Sequence, residues 1–359
     1  MSQATGFDYA PKGKPQPVVK PGEFVFASAF MDHGHIYGQT NGLLEAGGLC
    51  KWAWDPDPGR LASFLEKYPE TKPARSFDEI LDDPTVHLVT SAAIPNRRCE
   101  IGLQVLDAAK DYLTDKSPFT TLKQLEQAKR KVKKTGKKYA VCYSERLQSE
   151  AGWHAGELIR QGAIGEVLQV LIMAPHRLSK SARPGWFFDK ESYGGILTDI
   201  GSHQFEQFLT YCGAKDARIE FARVANRANP DKPGLEDFGE ALLTTDTGAS
   251  CYCRVDWFTP DGNPVWGDGR TFVLGTTGTI EVRKYIDIAQ PGNPGQRIYL
   301  IDAKKVEVIE CQGKIGYPFF GKLILDVIHR TENAMTQAHA FKAAELSMKA
   351  QGIADAARD

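Results

Sequence analysis

The stretch Gly194-Gly195-Ile196-Leu197-Thr198-Asp199-Ile200-Gly201-Ser202-His203 sets two titratable side chains four residues apart behind a pair of glycines. If it opens a helix, that spacing puts Asp199 and His203 on one face, about one turn apart. A carboxylate beside an imidazole orients it and raises its basicity, which a proton-transfer centre requires. The two glycines would leave room for a ligand where a side chain would intrude. A second cluster, Asp32-His33-Gly34-His35, has histidines able to chelate. The sequence offers no further ligand at a useful spacing, so no metal is expected. The favoured reading is a loop that faces a bound ligand, with its histidines donating to phosphate or substrate.

Length and composition bound what these residues can serve. A chain of 359 residues, with net charge −1 and 25% charged residues, fits two globular domains. No basic face or Arg-rich run points to nucleic acid. No apolar run approaches the ~20 residues of a membrane helix. The start, Met-Ser-Gln-Ala-Thr-Gly-Phe, has neither a basic region nor an apolar core, so no secretory signal is expected. The seven cysteines are scattered, and only Cys251 and Cys253 are close, on one face of an expected strand. Reduced thiols and a cytoplasmic location follow as expectations.

The elements that must position the chemistry fall into three parts. Residues 1–21 form an arm, Pro- and Lys-rich from Tyr9 to Pro21, that is free or laid across another surface. Residues 22–143 alternate strand and helix with short connections. Strands are expected at Phe24–Ala27, Leu49–Trp54, Val86–Thr90, Tyr112–Thr114 and Lys138–Tyr143. Helices fall near Tyr37–Ala46, Arg60–Lys67, Phe77–Leu81, Glu100–Lys110 and Leu122–Lys134. That alternation predicts an α/β fold, a doubly wound parallel sheet of the Rossmann type.

Residues 144–359 change texture. Strands at Val167–Pro175, Arg218–Ala225, Gly239–Thr245, Ala249–Phe258, Arg270–Leu274, Thr279–Arg283 and Gln296–Ile301 follow one another with few helices. They predict a large, mostly antiparallel sheet, with helices returning from about Phe319 to Ala357.

In a doubly wound sheet, ligands bind beyond the carboxyl ends of the strands. A Gly-x-Gly-x-x-Gly loop would be expected after the first strand, yet the chain reads Ala27-Ser28-Ala29-Phe30-Met31-Asp32-His33. Small residues through Ala29 still allow close approach. Asp55, at the end of the second strand, lies where an acid holds a ribose 2′-hydroxyl and disfavours a 2′-phosphate. A solvated turn carboxylate fits Asp55 equally well on spacing alone.

The Asp55-Pro-Asp-Pro-Gly-Arg60 turn, Ile94-Pro95-Asn96, Asp115-Lys116, Ile164-Gly165-Glu166-Val167 and the Gly194–His203 stretch together resemble the Gfo/Idh/MocA family, the glucose–fructose oxidoreductase and inositol dehydrogenase group. The resemblance covers nearly the whole chain. It implies a Rossmann domain, a second α/β domain on a large open sheet, and a homodimer or homotetramer formed through that sheet. It implies a nicotinamide cofactor, with NAD favoured over NADP by Asp55, held by Ala29, Phe30, Met31, His33, Asp55, Arg60, Pro95, Asn96 and Asp115. It also implies a catalytic Lys, Asp and His, which map to Lys116, Asp199 and His203. The family's Glu-Lys-Pro reads Asp115-Lys116-Ser117 here, with Pro118 one position late.

The implied activity moves a hydride between nicotinamide and a secondary hydroxyl of a sugar, cyclitol or related polyol. Tyr143, Arg146, His176 and Trp186 are candidate substrate contacts, although aromatic core packing would serve Trp186 equally. Two other functions fit the same family resemblance. One is a lyase or glycosidase that keeps NAD bound and oxidises its substrate transiently. The other is a non-catalytic dinucleotide- or sugar-binding protein.

Overall fold

A computed structural model describes Phe7 and residues 9–292 and 294–357. The chain divides into two compact units, one of Phe7–Cys142 with Gly316–Ala340, the other running from Tyr143 to Ile315 with the chain from Phe341 onward. The part of the arm before Phe7 lies outside the described residues.

The N-terminal unit carries six strands: β1 (Val25–Ala29), β2 (Leu49–Trp54), β3 (Lys72–Pro73), β4 (Leu88–Ser91), β5 (Asp111–Asp115) and β6 (Tyr139–Cys142). All pair in parallel, in the order β3-β2-β1-β4-β5-β6. Every residue of β1, β4 and β5 is buried, as a parallel sheet covered on both faces requires. The crossover helices start where local chemistry dictates. Asp57 caps the helix Pro58–Lys67 through the Gly59 and Arg60 amides, with Pro at its first position. Thr121 and Gln124 form a capping box on Leu122–Thr135, which stops at Gly136 with φ 67°. Expected and observed strands coincide to within two residues, apart from the two-residue β3, too short to leave a pattern.

Residues 316–340 return to this unit. The helix Pro318–His329 packs so closely on His35–Glu45 that a Cβ at Gly42 would lie 2.3 Å from the Phe320 ring. Gln337 pairs its carboxamide with both the amide and the carbonyl of Tyr139, at 2.9 and 2.8 Å, covering the edge strand β6. From Gly13 to Val18 the arm bonds to the helix end of its own unit. Gln16 and Val18 donate to the Glu45 and Ala46 carbonyls at 2.9 Å, and Gly13 donates to the Glu45 carboxylate.

The C-terminal unit holds β7 (Val167–Pro175), β8 (Ala217–Ala225), β9 (Phe238–Thr245), β10 (Ser250–Asp256), β11 (Arg270–Gly275), β12 (Gly278–Arg283), β13 (Arg297–Asp302) and β14 (Val306–Glu310). Their order is β14-β13-β12-β11-β7-β10-β9-β8, antiparallel except for β7 beside β10. Burial alternates along the strands. Val170, Ile172, Cys251, Cys253, Ile280 and Val282 face the buried side, so the two cysteines do share a face. The opposite face leaves Phe221, Phe272, Leu274, Ile301 and Val308 exposed. The sequence reading did not include β14, an exposed edge of only five residues. No helix among the described residues is long and apolar enough to cross a membrane.

Candidate active-site elements in the two units

In the N-terminal unit the strand order reverses between β1 and β4, and a ligand crevice forms beyond the carboxyl ends at such a switch point. The β1 loop reaches this point without the expected glycines. Phe30 takes the left-handed conformation a glycine would supply, with φ 55°. Its ring is held edge-on by Trp54 and Phe77, with centroids 5.0 and 4.9 Å away. Backbone bonds stitch the loop to neighbouring strand ends: Phe30 donates to Trp54, Ala92 donates to Phe30, and His33 donates to Ala92. Ala29 closes β1. Pro95 and Asn96 lie in a 3₁₀ turn after β4, where the Asn96 carbonyl accepts from Gln124 at 2.8 Å.

Asp55, just beyond the end of β2, has both carboxylate oxygens engaged by the chain's own donors. One carboxylate oxygen accepts the Met31 amide at 2.6 Å; the other accepts the Asp57 amide at 2.8 Å and Arg60 Nε at 3.0 Å. Its side chain is fully buried, so these internal donors account for it. Arg60 is partly exposed and also meets Asp32 at 3.3 Å and Asp57 at 3.7 Å. Three acids therefore surround one base. Burial pushes the Asp32 carboxyl up, against the pull of Arg60.

At the end of β5 the structure assembles what sequence spacing could not show. Asp115, 80 residues from His35, accepts from His35 Nδ1 at 3.0 Å and from Arg98 Nη2 at 3.2 Å. Burial raises its pKa, but His35 and Arg98 outweigh that and hold it below its usual value. Ligand atoms of His33, His35 and Asp115 lie within 4.8 Å of one another, so a third potential metal ligand exists after all. The Arg98 guanidinium on the same carboxylate disfavours a divalent cation there. Lys116 follows, nearly buried, and Arg98 Nη1 donates to its carbonyl and to that of Ser117. The Lys116–Ser117 peptide is cis.

In the C-terminal unit the expected helix entrance is present as Ile196–Asp199 and Gly201–Cys212, joined at Ile200, whose φ of −73° and ψ of −44° keep the helical path. Asp199 and His203 therefore lie one turn apart, and both are buried. The starting amides are capped from far along the chain. Glu236 accepts from Ile196 at 2.9 Å, and Gln351 accepts from Leu197 at 3.0 Å. This corrects the role expected for the glycine pair. A Cβ on Gly195 would lie 2.3 Å from the Gln351 carboxamide, so the space belongs to Gln351 rather than to a ligand. The φ angles of 88° and 90° at Gly194 and Gly195 add a second reason for glycine.

The remaining candidates separate by what they touch. Tyr143 is buried, its ring 6.4 Å edge-on to that of His203. Arg146 is committed to Glu206, with Nε 2.9 Å from both carboxylate oxygens, and stacks over Trp153. His176 places Nδ1 3.0 Å from the Ala174 carbonyl and Nε2 3.5 Å from Glu145, with Trp257 and Trp266 against its ring. Trp186 is half-buried beside Phe187, 5.9 Å between rings.

Sequence reasoning missed the polar network under the His203 helix. Lys284 is fully buried and donates to Gln207 at 2.6 Å and Glu145 at 3.2 Å; Gln204 donates to the same carboxylate at 2.8 Å. Gln207 in turn donates to the His203 carbonyl at 3.0 Å. Burial pushes the Lys284 pKa down, opposed by Glu145. Lys284 and Glu145 are 139 residues apart, and no local pattern announces them.

The sequence profile of the GFO/IDH/MocA C-terminal domain matches residues 153–281. A crystal structure described as an oxidoreductase, from Erwinia carotovora atroseptica SCRI1043, is 43% identical with a TM-score of 0.89, over 92% of this chain and 99% of that one. The chain belongs to the Gfo/Idh/MocA family. Within that family it is 29% identical to the uncharacterized oxidoreductase YhhX of Escherichia coli (strain K12) over 158 residues, 43% of this chain and 44% of that protein. It is 22% identical to scyllo-inositol 2-dehydrogenase (NAD(+)) of Bacillus subtilis (strain 168) over 227 residues, 63% of this chain and 64% of that protein. Each of these two matches spans less than two thirds of the curated relative's own length.

Proposed function

We propose that this Gfo/Idh/MocA protein is an NAD-dependent oxidoreductase acting on a secondary hydroxyl of a sugar, cyclitol or related polyol. The observation that carries the reading is the buried Asp199–His203 pair, one turn apart on a helical segment whose start is fixed by Glu236 and Gln351.

The N-terminal unit fits a dinucleotide. Its strand order creates the crevice, and Phe30 keeps the left-handed turn at the β1 loop. The Ser117 hydroxyl is buried at the carboxyl end of the sheet with no hydrogen-bond partner among the described residues. Asp32, Asp55 and Asp57 around Arg60 make the end of β2 acidic, which disfavours a 2′-phosphate and favours NAD over NADP. Ala29, Met31, His33, Pro95, Asn96 and Asp115 belong to the same cofactor-facing edge on this reading. When bound, NAD supplies the hydride acceptor.

The chain's own residues handle the proton and the charge. His203 accepts the hydroxyl proton, the general-base role an imidazole commonly fills. Lys116, a buried cation of the N-terminal unit, is the group on this reading that stabilises negative charge as it develops. Asp199 orients His203 or binds a neighbouring hydroxyl. Tyr143, His176 and Trp186 contact the substrate, while Arg146 supports them from its pair with Glu206. The exposed apolar face of the large sheet serves a homodimer or homotetramer.

A panel of polyols and glycosides, incubated with protein and NAD, tests the reading. NADH formed in step with oxidised product supports it. Product without net NADH would assign the chain to the lyase or glycosidase class, and no turnover of any member would favour a binding protein.

A further inference from the structure

The loop after β7 builds a polar site that the proposed chemistry does not use. Arg177 is only 5% exposed, and its Nη2 donates to the Pro260 carbonyl at 3.1 Å and to that of Asn263. Its Nε and Nη1 have no hydrogen-bond partner among the described residues. Asp261 stands 3.5 Å from Nε, too far for a hydrogen bond, on a side chain that is 99% exposed. Buried donors are nearly always satisfied, and a guanidinium with two idle nitrogens marks a place a ligand can complete.

The surroundings point to an anion. Arg177 lines an open cleft of about 980 Å³ together with Lys180, Arg183 and Lys232, against the single acid Asp261. Lys180 is paired with Asp231, and Lys232 lies 4.7 Å over the Phe188 ring. Arg183 is fixed by the Leu178 and Arg177 carbonyls, 2.9 and 3.3 Å away, with its guanidinium over Phe187 and Trp257. Trp257 both lines the cleft and packs against His176, one of the residues assigned to substrate. A planar guanidinium matches a carboxylate, and the group already beside it is a carboxylate on a solvent-exposed side chain that can give way.

We propose that this cleft binds the carboxylate of a carboxylated polyol, an aldonic or uronic acid, through Arg177, with Asp261 holding the seat in its absence. The polyol half of this assignment rests on the dehydrogenase reading; the anion half rests on Arg177 alone. One idle guanidinium suits a monoanion better than a phosphate dianion.

Calorimetric titration with D-gluconate, D-glucuronate, D-glucose and D-glucose 6-phosphate, with and without NAD, tests the assignment independently of turnover. At least one of the two acids should bind about 10-fold or more tighter than glucose, as a charge-assisted contact implies. Asp261→Asn, at an exposed position, should tighten the acids several-fold and leave glucose unchanged; Arg177→Gln should abolish the preference. Equal affinity for acids and glucose, a preference for the phosphate, an Asp261→Asn variant without effect, or no acid binding in either condition overturns the proposal. Acid binding that behaves as expected, with no NADH formed from any polyol, leaves the anion site standing and removes the dehydrogenase reading. NADH formed only from neutral polyols, with no response to Asp261→Asn, does the reverse.

Discussion

Arg146 and Arg177 are both buried in the C-terminal unit, and they differ in how their donors are used. Arg146 meets Glu206 through two nitrogens and stacks over Trp153, a pair closed within the protein. Arg177 leaves two nitrogens idle beside an acid that is almost wholly in solvent. A buried charge alone says little about function, because structural pairs bury charges too. The balance of donors and acceptors separates them: a completed set is architecture, and an incomplete one is an invitation. In the N-terminal unit Asp55 and Asp115 likewise accept from several of the chain's own donors.

The comparison can be broken by mutation. Arg146→Met should have the largest effect on stability, because it removes the guanidinium paired with the buried Glu206 carboxylate, at a cost of about 3–5 kcal/mol in urea unfolding. Adding Glu206→Leu should restore part of that loss, since no orphan charge remains; further loss would contradict the closed-pair view. Arg177→Met should cost less, about 1–3 kcal/mol, from the lost bonds to the Asn263 carbonyl and to the Pro260 carbonyl, which keeps the Asn263 amide as a donor. Equal costs for the two arginines would erase the distinction.

The smallest effect concerns pH. Asp115 is held below its usual pKa, so its contribution is present above the unfolded value, near pH 4, and fades as pH falls through the lowered folded value. The stability gap between the natural chain and Asp115→Asn should therefore stay constant from neutral pH to about pH 5 and narrow below about pH 4. A gap that widens on acidification would contradict the assignment.

Much of the fold was legible because periodicity is local. The parallel strands read as apolar runs, and the antiparallel ones as alternation that kept Cys251 and Cys253 on one face. What escaped was either too short, as with Lys72–Pro73, or long-range. Asp199 and His203 were readable because they sit on one helical segment. The capping of that segment by Glu236 and Gln351 was not, since these residues lie far along the chain. Gly195 was read correctly as a site of close approach, with the wrong neighbour. Asp55 follows the second strand as its spacing indicates, yet spacing cannot reveal that Met31, Asp57 and Arg60 donate to its oxygens. Arg177 carried no sequence signal at all; only counting its partners in three dimensions picks it out.

The central claim is that His203 takes the hydroxyl proton from a polyol while NAD accepts hydride. The most direct test follows NADH formation across pH for the natural chain and His203→Ala, on the first panel substrate that turns over. The account predicts a rate that rises with pH in the natural chain, and a loss of about 10²–10⁴-fold in the variant with NAD binding intact. A variant that turns over at the natural rate, with the same pH profile, would contradict it.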